Sequence, residues 1–148
     1  MKLRVQPSKT KPVAKAPERE RLDRYGTVSQ WDLEVSMHAA DGRFFEVRSG
    51  GPTLIARGEF TEPVSGVSAF ELMLIRSAVL DMSARCLGFF MRAKPVLDGS
   101  IYLTQEEFSA LKQFAAADHN LYVGMTFQKP RYGSAEIYAA RFSTVPAM

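Results

Sequence analysis

The sequence predicts a single α+β domain over residues 25–148, mostly antiparallel sheet, preceded by a disordered basic arm over residues 1–24. Three observations carry that prediction. Apolar and polar residues alternate with period two at 31–37, 53–60 and 121–127, as in strands with one covered face. Thr104 and Glu107 form the T-x-x-E capping box that opens a helix. The first two dozen residues hold Pro7, Pro12 and Pro17 among many cations and no aromatic residue, too little apolar surface to offset the entropy of ordering.

Composition narrows the class. A chain of 148 residues with 46% apolar and 24% charged residues suits one globular domain with a real core. Cys86 is the single cysteine, so no internal disulfide forms and a reducing, cytoplasmic setting is expected. There is no apolar run of membrane-spanning length, and the N-terminus has charge without the apolar stretch of a signal peptide. The net charge of +3 is uneven. Residues 1–24 hold eight basic and three acidic side chains, a balance of +5, and the remainder eleven against thirteen, a balance of −2. The pI of about 9.1 therefore belongs to the arm, which either docks on an acidic partner or only keeps the chain in solution.

In chain order, Trp31, Leu33, Val35 and Met37 alternate with Asp32, Glu34, Ser36 and His38 as a half-buried strand. Ala40–Arg43, with Asp41-Gly42, reads as a tight turn, Phe44–Arg48 as a second strand, Ser49–Pro52 as a second turn and Thr53–Phe60 as a third strand. The outer face of this meander mixes Asp32, Glu34, Glu46, Arg48, Arg57 and Glu59, a pattern of solvated cross-strand pairs. Residues 61–67 form a loop. Over about 69–87 two readings compete. Leu, Met and Ala dominate and favour a second helix, ending near Gly88; the rival is a pair of strands at 70–75 and 86–92. Residues 88–93 look extended, Pro95 and Asp98-Gly99 mark a turn, and Ser100–Leu103 feeds the helix at about 104–117. Leu103 and Phe108 are placed as its hydrophobic staple, and Asp118-His119-Asn120 ends it. Residues 121–127 are a strand, 129–133 a turn and 135–143 a final strand, with Ile137 and Ala139 on one face and Tyr138, Ala140 and Phe142 on the other.

Catalytic chemistry finds little support. Cys86 with His38 or His119 is a conceivable nucleophile–base pair, yet no motif surrounds the cysteine, and a histidine at a helix C-terminus is favoured by the dipole alone. Glu106 and Glu107 are explained by the helix start. Two distant histidines and one cysteine make no metal motif, and Gly50-Gly51 lacks the context of a phosphate loop. The expectation is a non-enzyme without cofactor, metal or membrane partner. It acts by protein–protein contact or as a homo-oligomer, through Lys129, Arg131, Tyr132, Tyr138, Arg141 and Phe142. The second expectation is single-stranded nucleic acid, held by Lys9, Lys11 and Lys15 of the arm with Phe127, Lys129, Arg131 and Tyr132 of the last hairpin: cations on phosphates, aromatics on bases. The element order resembles that of an oligonucleotide-binding barrel, whose last hairpin loop contacts single strands, although 68–93 does not fit the minimal barrel.

Overall fold

A computed structural model describes residues 19–39, 49–117 and 120–146. The elements are β1 (Arg21–His38), β2 (Ser49–Val64), β3 (Val67–Arg76), β4 (Gly88–Arg92), β5 (Leu97–Leu103), α1 (Gln105–Ala116), β6 (Leu121–Gln128) and β7 (Ala135–Ser143). The strands close into a barrel in the order β1-β2-β3-β5-β4-β7-β6, with β6 returning to β1. The expected strand-rich single domain is present, but its sheet closes on itself. Closure leaves no edge along the barrel wall, and the alternating faces turn one set of side chains inward.

All neighbours run antiparallel except β3 and β5, which are parallel from Phe70–Leu97 to Arg76–Leu103. The chain leaves β3, crosses the end of β5 as an irregular segment, descends as β4 and rises again as β5. Three backbone bonds hold that crossing: Ser77 N donates to Leu103 O at 2.9 Å, Leu87 N to Ile137 O at 2.7 Å and Tyr102 N to Leu87 O at 3.1 Å. The core is the inward set, among them Leu54, Ala56, Phe70, Leu72, Leu74, Phe90, Val123, Met125, Phe127 and Ile137. Four phenylalanines form its centre, with ring centroids 4.7 Å apart for Phe60–Phe70, 6.0 Å for Phe60–Phe127 and 5.0 Å for Phe90–Phe127.

The helix α1 forms where the capping box requires it. Glu107 N donates to Thr104 Oγ1 at 3.2 Å, and Thr104 N donates to Glu107 Oε1 at 2.8 Å. Phe108 and Leu111 are buried with Leu103 in the core. The helix joins the end of β5 to the start of β6, so it covers one end of the barrel rather than the face of an open sheet. With 12 residues it is not long enough to cross a membrane, and no helix among the described residues is. At the opposite end the β2–β3 and β6–β7 hairpins turn on Ser65-Gly66 and Tyr132-Gly133, every one of these residues with positive φ (50°, 84°, 53° and 80°). That is the two-residue turn whose twist matches the strands it joins.

Several sequence expectations are corrected. Residues 68–87 contain no helix: β3 occupies 67–76, and 77–87 are irregular. Phe70, Leu72 and Leu74 do alternate inward, but Met73 and Ile75 are apolar on the outer side and hide the period. Ser49–Pro52 is no turn; it continues β2 opposite Val35–His38. Asp98-Gly99 lies inside β5, where Asp98 faces Glu71 and Arg92. Residues 21–24 are strand rather than arm, paired with Met125–Gln128 of β6. The apolar face of 31–37 is half-buried at Trp31 only. The expected arm over 1–18, the turn and strand over 40–48, and His119 lie outside the described residues.

Candidate functional site

Two surfaces are left over once the barrel is satisfied. The first arises because β1 outruns its neighbours. It pairs with β6 only from Arg21 to Val28 and with β2 from Gly26 to His38, while β2 meets β3 from Thr53 onward. Residues 34–38 and 49–52 therefore form a two-stranded ribbon beyond the barrel. A register shift between Val28 and Gln30 keeps Trp31 opposite buried Ala56 and Leu33 opposite buried Leu54. The interior-facing side of the barrel thus continues outward along the ribbon as Leu33, Val35 and Met37, which are 52%, 56% and 65% exposed. Its other face carries Asp32, Glu34, Ser36 and His38. Among the described residues, no strand pairs with the free edge of 34–38.

The second surface is the outer face of β1, β6 and β7. Register aligns Tyr25 with Gly124 and Arg141, Thr27 with Tyr122 and Ser143, and Asp23 with Thr126 and Ala139. Gly124 and Thr126 leave the middle strand with small side chains on part of this face. The Tyr25 ring lies on Gly124, where a Cβ would stand 3.2 Å from the ring, so any side chain there would displace it. A cleft of about 230 Å³ opens beside it, lined by Tyr25, Thr61, Tyr122, Gly124, Arg141 and Val145 among others. Arg141 is the one charged residue lining the cleft, and it has no ion pair among the described residues. Further along, the Arg21 guanidinium sits 3.9 Å above the Tyr138 ring. Asp23 accepts from Thr126 Oγ1 at 2.6 Å, which occupies one of its oxygens.

The remaining charged groups are mostly structural. Arg57 bonds to Glu71 (3.0 Å) and to Asp32, the cross-strand pairing expected of that face; hydrogen bonding to Glu71 first, then charge and bonding at both carboxylates, raises its pKa against partial desolvation. Arg85 ties the irregular 77–87 segment to Glu136, whose other oxygen, Oε2, is buried without a partner; the bond to Glu136 and its charge raise the Arg85 pKa. Asp81 receives the hydroxyl and amide of Ser83 at 2.6 and 2.9 Å, which lowers its pKa. Cys86 lies in the 77–87 segment and His38 at the outer end of β1, so they belong to separate elements. Among the described residues, no group of three or more His, Cys, Asp or Glu side chains could hold a metal ion.

The residues singled out from the sequence separate into three places. Lys129, Arg131 and Tyr132 share the β6–β7 tip. Lys129 N donates to Glu20 O at 2.7 Å, and Arg131 stands 5.6 Å from the Tyr132 ring centroid. Tyr132 is 95% exposed at φ 53°, a strained position for an aromatic residue that buries nothing in return. Tyr138 and Arg141 lie on the outer face, while Phe142 does not. A shift between Thr126 and Phe127 bulges β7 at Tyr138, so Ala140 and Phe142 turn inward and Phe142 packs at 6.1 Å from Trp31. Phe127 is also corrected: it is 0% exposed in the aromatic core and cannot stack on a base. Lys9, Lys11 and Lys15 lie outside the described residues. Sequence reading missed Arg21, Tyr25, Tyr122 and Gly124, which only pairing of β1 with β6 brings together. Comparison with protein-family models, curated proteins and solved structures yields no match to this chain.

Proposed function

We propose that this chain is a binding protein that acts through protein contact, with the β1–β2 ribbon as its contact element and a second copy of itself as the occupant. The observation that carries this reading is the row Leu33, Val35 and Met37, held on the paired β1–β2 ribbon and more than half exposed. Burial of such side chains is the main favourable term in association, and an open strand edge supplies backbone hydrogen bonds to any strand laid against it.

The pattern along β1 supports a copy of itself. Two antiparallel β1 edges crossing at Val35 set Val35 against Val35 and Leu33 against Met37. On the other face, Asp32 then meets His38 and Glu34 meets Ser36, so every carboxylate faces a hydrogen-bond donor. The contact is isologous and closes as a twofold dimer. Sedimentation equilibrium over a wide concentration range, with amide exchange of residues 33–38, tests it. A concentration-dependent dimer whose 33–38 amides gain protection is the expected result; a monomer at every concentration, with those amides exchanging freely, overturns it.

A further inference from the structure

We infer that the outer face of β1, β6 and β7 is a track for single-stranded nucleic acid, with one base seated in the cleft between Tyr25 and Tyr122 and its phosphate on Arg141. This inference stands on a different surface from the ribbon and does not depend on self-association.

Four features converge. The cleft is lined by two phenol rings, by Gly26 and Gly124, and by the hydroxyls of Thr27 and Ser143, with the Thr61 hydroxyl donated to Tyr25 O, a lining suited to a planar ring with a polar edge. Its volume, about 230 Å³, is below the roughly 300–1,000 Å³ of drug-sized ligand pockets, so it holds one base unit rather than a larger ligand. Its single charge, Arg141, is positive and lacks an ion pair among the described residues, while no carboxylate lines it. The cations then continue in line. From the Gly124 row, the face runs through Arg21, opposite Gln128, to the hairpin tip, where Arg131 stands beside Lys129, itself in an exposed pair with Glu20. At about 3.3 Å per residue, Gly124 and Lys129 are roughly 17 Å apart, a spacing for several nucleotides rather than one.

Positive charge beside stackable rings along one strand direction suits a sugar–phosphate backbone with unpaired bases. Tyr132 fits the same picture as a second platform at the far end. Two carboxylates lie along the track: Asp23, one oxygen of which accepts from Thr126 Oγ1 across the outer face, and Glu20, whose Oε2 stands 3.9 Å from Lys129 Nζ.

The test uses the full chain and fluorescence anisotropy with a labelled single-stranded 15-mer across salt concentrations. Each phosphate contact contributes about 0.7 to the slope of log K against log salt. Arg21→Gln, Arg131→Gln and Arg141→Gln together should therefore flatten the slope by about 2, whatever the arm contributes. Between 50 and 200 mM salt, that removes a roughly 20-fold sensitivity from the wild-type curve. Tyr122→Leu should weaken binding about tenfold or more with the slope unchanged, because stacking is not ionic. Amide shifts on titration should centre on Gly124, Arg141 and Thr27. Thermal melts confirm that each variant is folded.

Three results overturn the inference. One is no binding by the wild type at low salt. Another is a slope unchanged in the triple variant, with amide shifts away from the cleft. The third separates the two sources of the same chemistry: a free mononucleotide that competes as strongly as the 15-mer makes the cleft a nucleotide pocket and removes the track.

Discussion

Val35→Ser tests the ribbon with the least disturbance to the fold. Complete burial of a valine-sized side chain is worth about 1.5–3 kcal/mol, and Val35 is 56% exposed, so a partner can still gain about 1 kcal/mol or slightly more from it. A twofold contact contains the residue twice, and the substitution therefore removes about 2 kcal/mol from the dimer, or roughly 30-fold in Kd. The monomer should change by no more than about 0.5 kcal/mol, because little of the side chain is buried there. The gross gain from six half-exposed side chains, about 6–9 kcal/mol, lies within the estimated cost of association of about 4–15 kcal/mol. Affinity must then rest partly on backbone pairing, and the concentration range has to reach hundreds of micromolar. Sedimentation equilibrium of both proteins, alongside denaturant unfolding, gives the two numbers. Identical weight-average masses for wild type and variant throughout that range would refute the reasoning. An equal loss of monomer stability would refute it as well, by showing that Val35 works within the chain.

Phe127→Ala should cost about 3–5 kcal/mol in denaturant unfolding, since the ring is fully buried between Phe60 and Phe90; a surface stacking residue would cost almost nothing. Thr104→Ala removes one half of the capping box and should cost about 1 kcal/mol, seen as a fall of a few degrees in Tm. Asp81 titrates below 3.8 because Ser83 bonds its charged form, so its contribution to stability is present above that pH and is lost as pH falls through the lowered value. Ser83→Ala should return the Asp81 titration towards 3.8, followed by carboxyl NMR, and an unchanged titration would show that Ser83 is not the cause.

What the sequence made legible was local. The capping box at Thr104 and the alternation of 121–127 are set by residues three or two apart, and both appear as expected. Period two failed at 67–76, where the outward Met73 and Ile75 are as apolar as the inward Phe70 and Leu72. It misled differently at 33–37, where a stripe patterned for a core extends past the last neighbouring strand and meets solvent. The bulge at Tyr138 reversed the facing of Phe142 without any signal in composition. The cleft was invisible for a more basic reason. Tyr25, Tyr122 and Arg141 are distributed across three strands, and Tyr25 stood at the margin of a segment read as unstructured.

Both surfaces trace to one strand. β1 has 18 residues where β6 has 8, well beyond the roughly 3–10 usual for a strand. Its first half needs only eight residues to close the barrel against β6, and there its inner face carries Leu22, Arg24, Gly26 and buried Val28 while its outer face carries Arg21 and Tyr25. Its second half pairs with β2 alone, and past half-buried Trp31 its inner face keeps an apolar row, Leu33, Val35 and Met37, that is more than half exposed. Ordering that ribbon costs backbone entropy, set against its own β1–β2 ladder; the proposed self-association would add burial of the exposed row. Tyr25 and Val35 are ten residues apart, about 33 Å along the strand, several times the Debye length at physiological salt. A dimer formed at Val35 therefore leaves the Arg141 cleft uncovered, and substitutions on the two surfaces should act additively because no residue is shared between them.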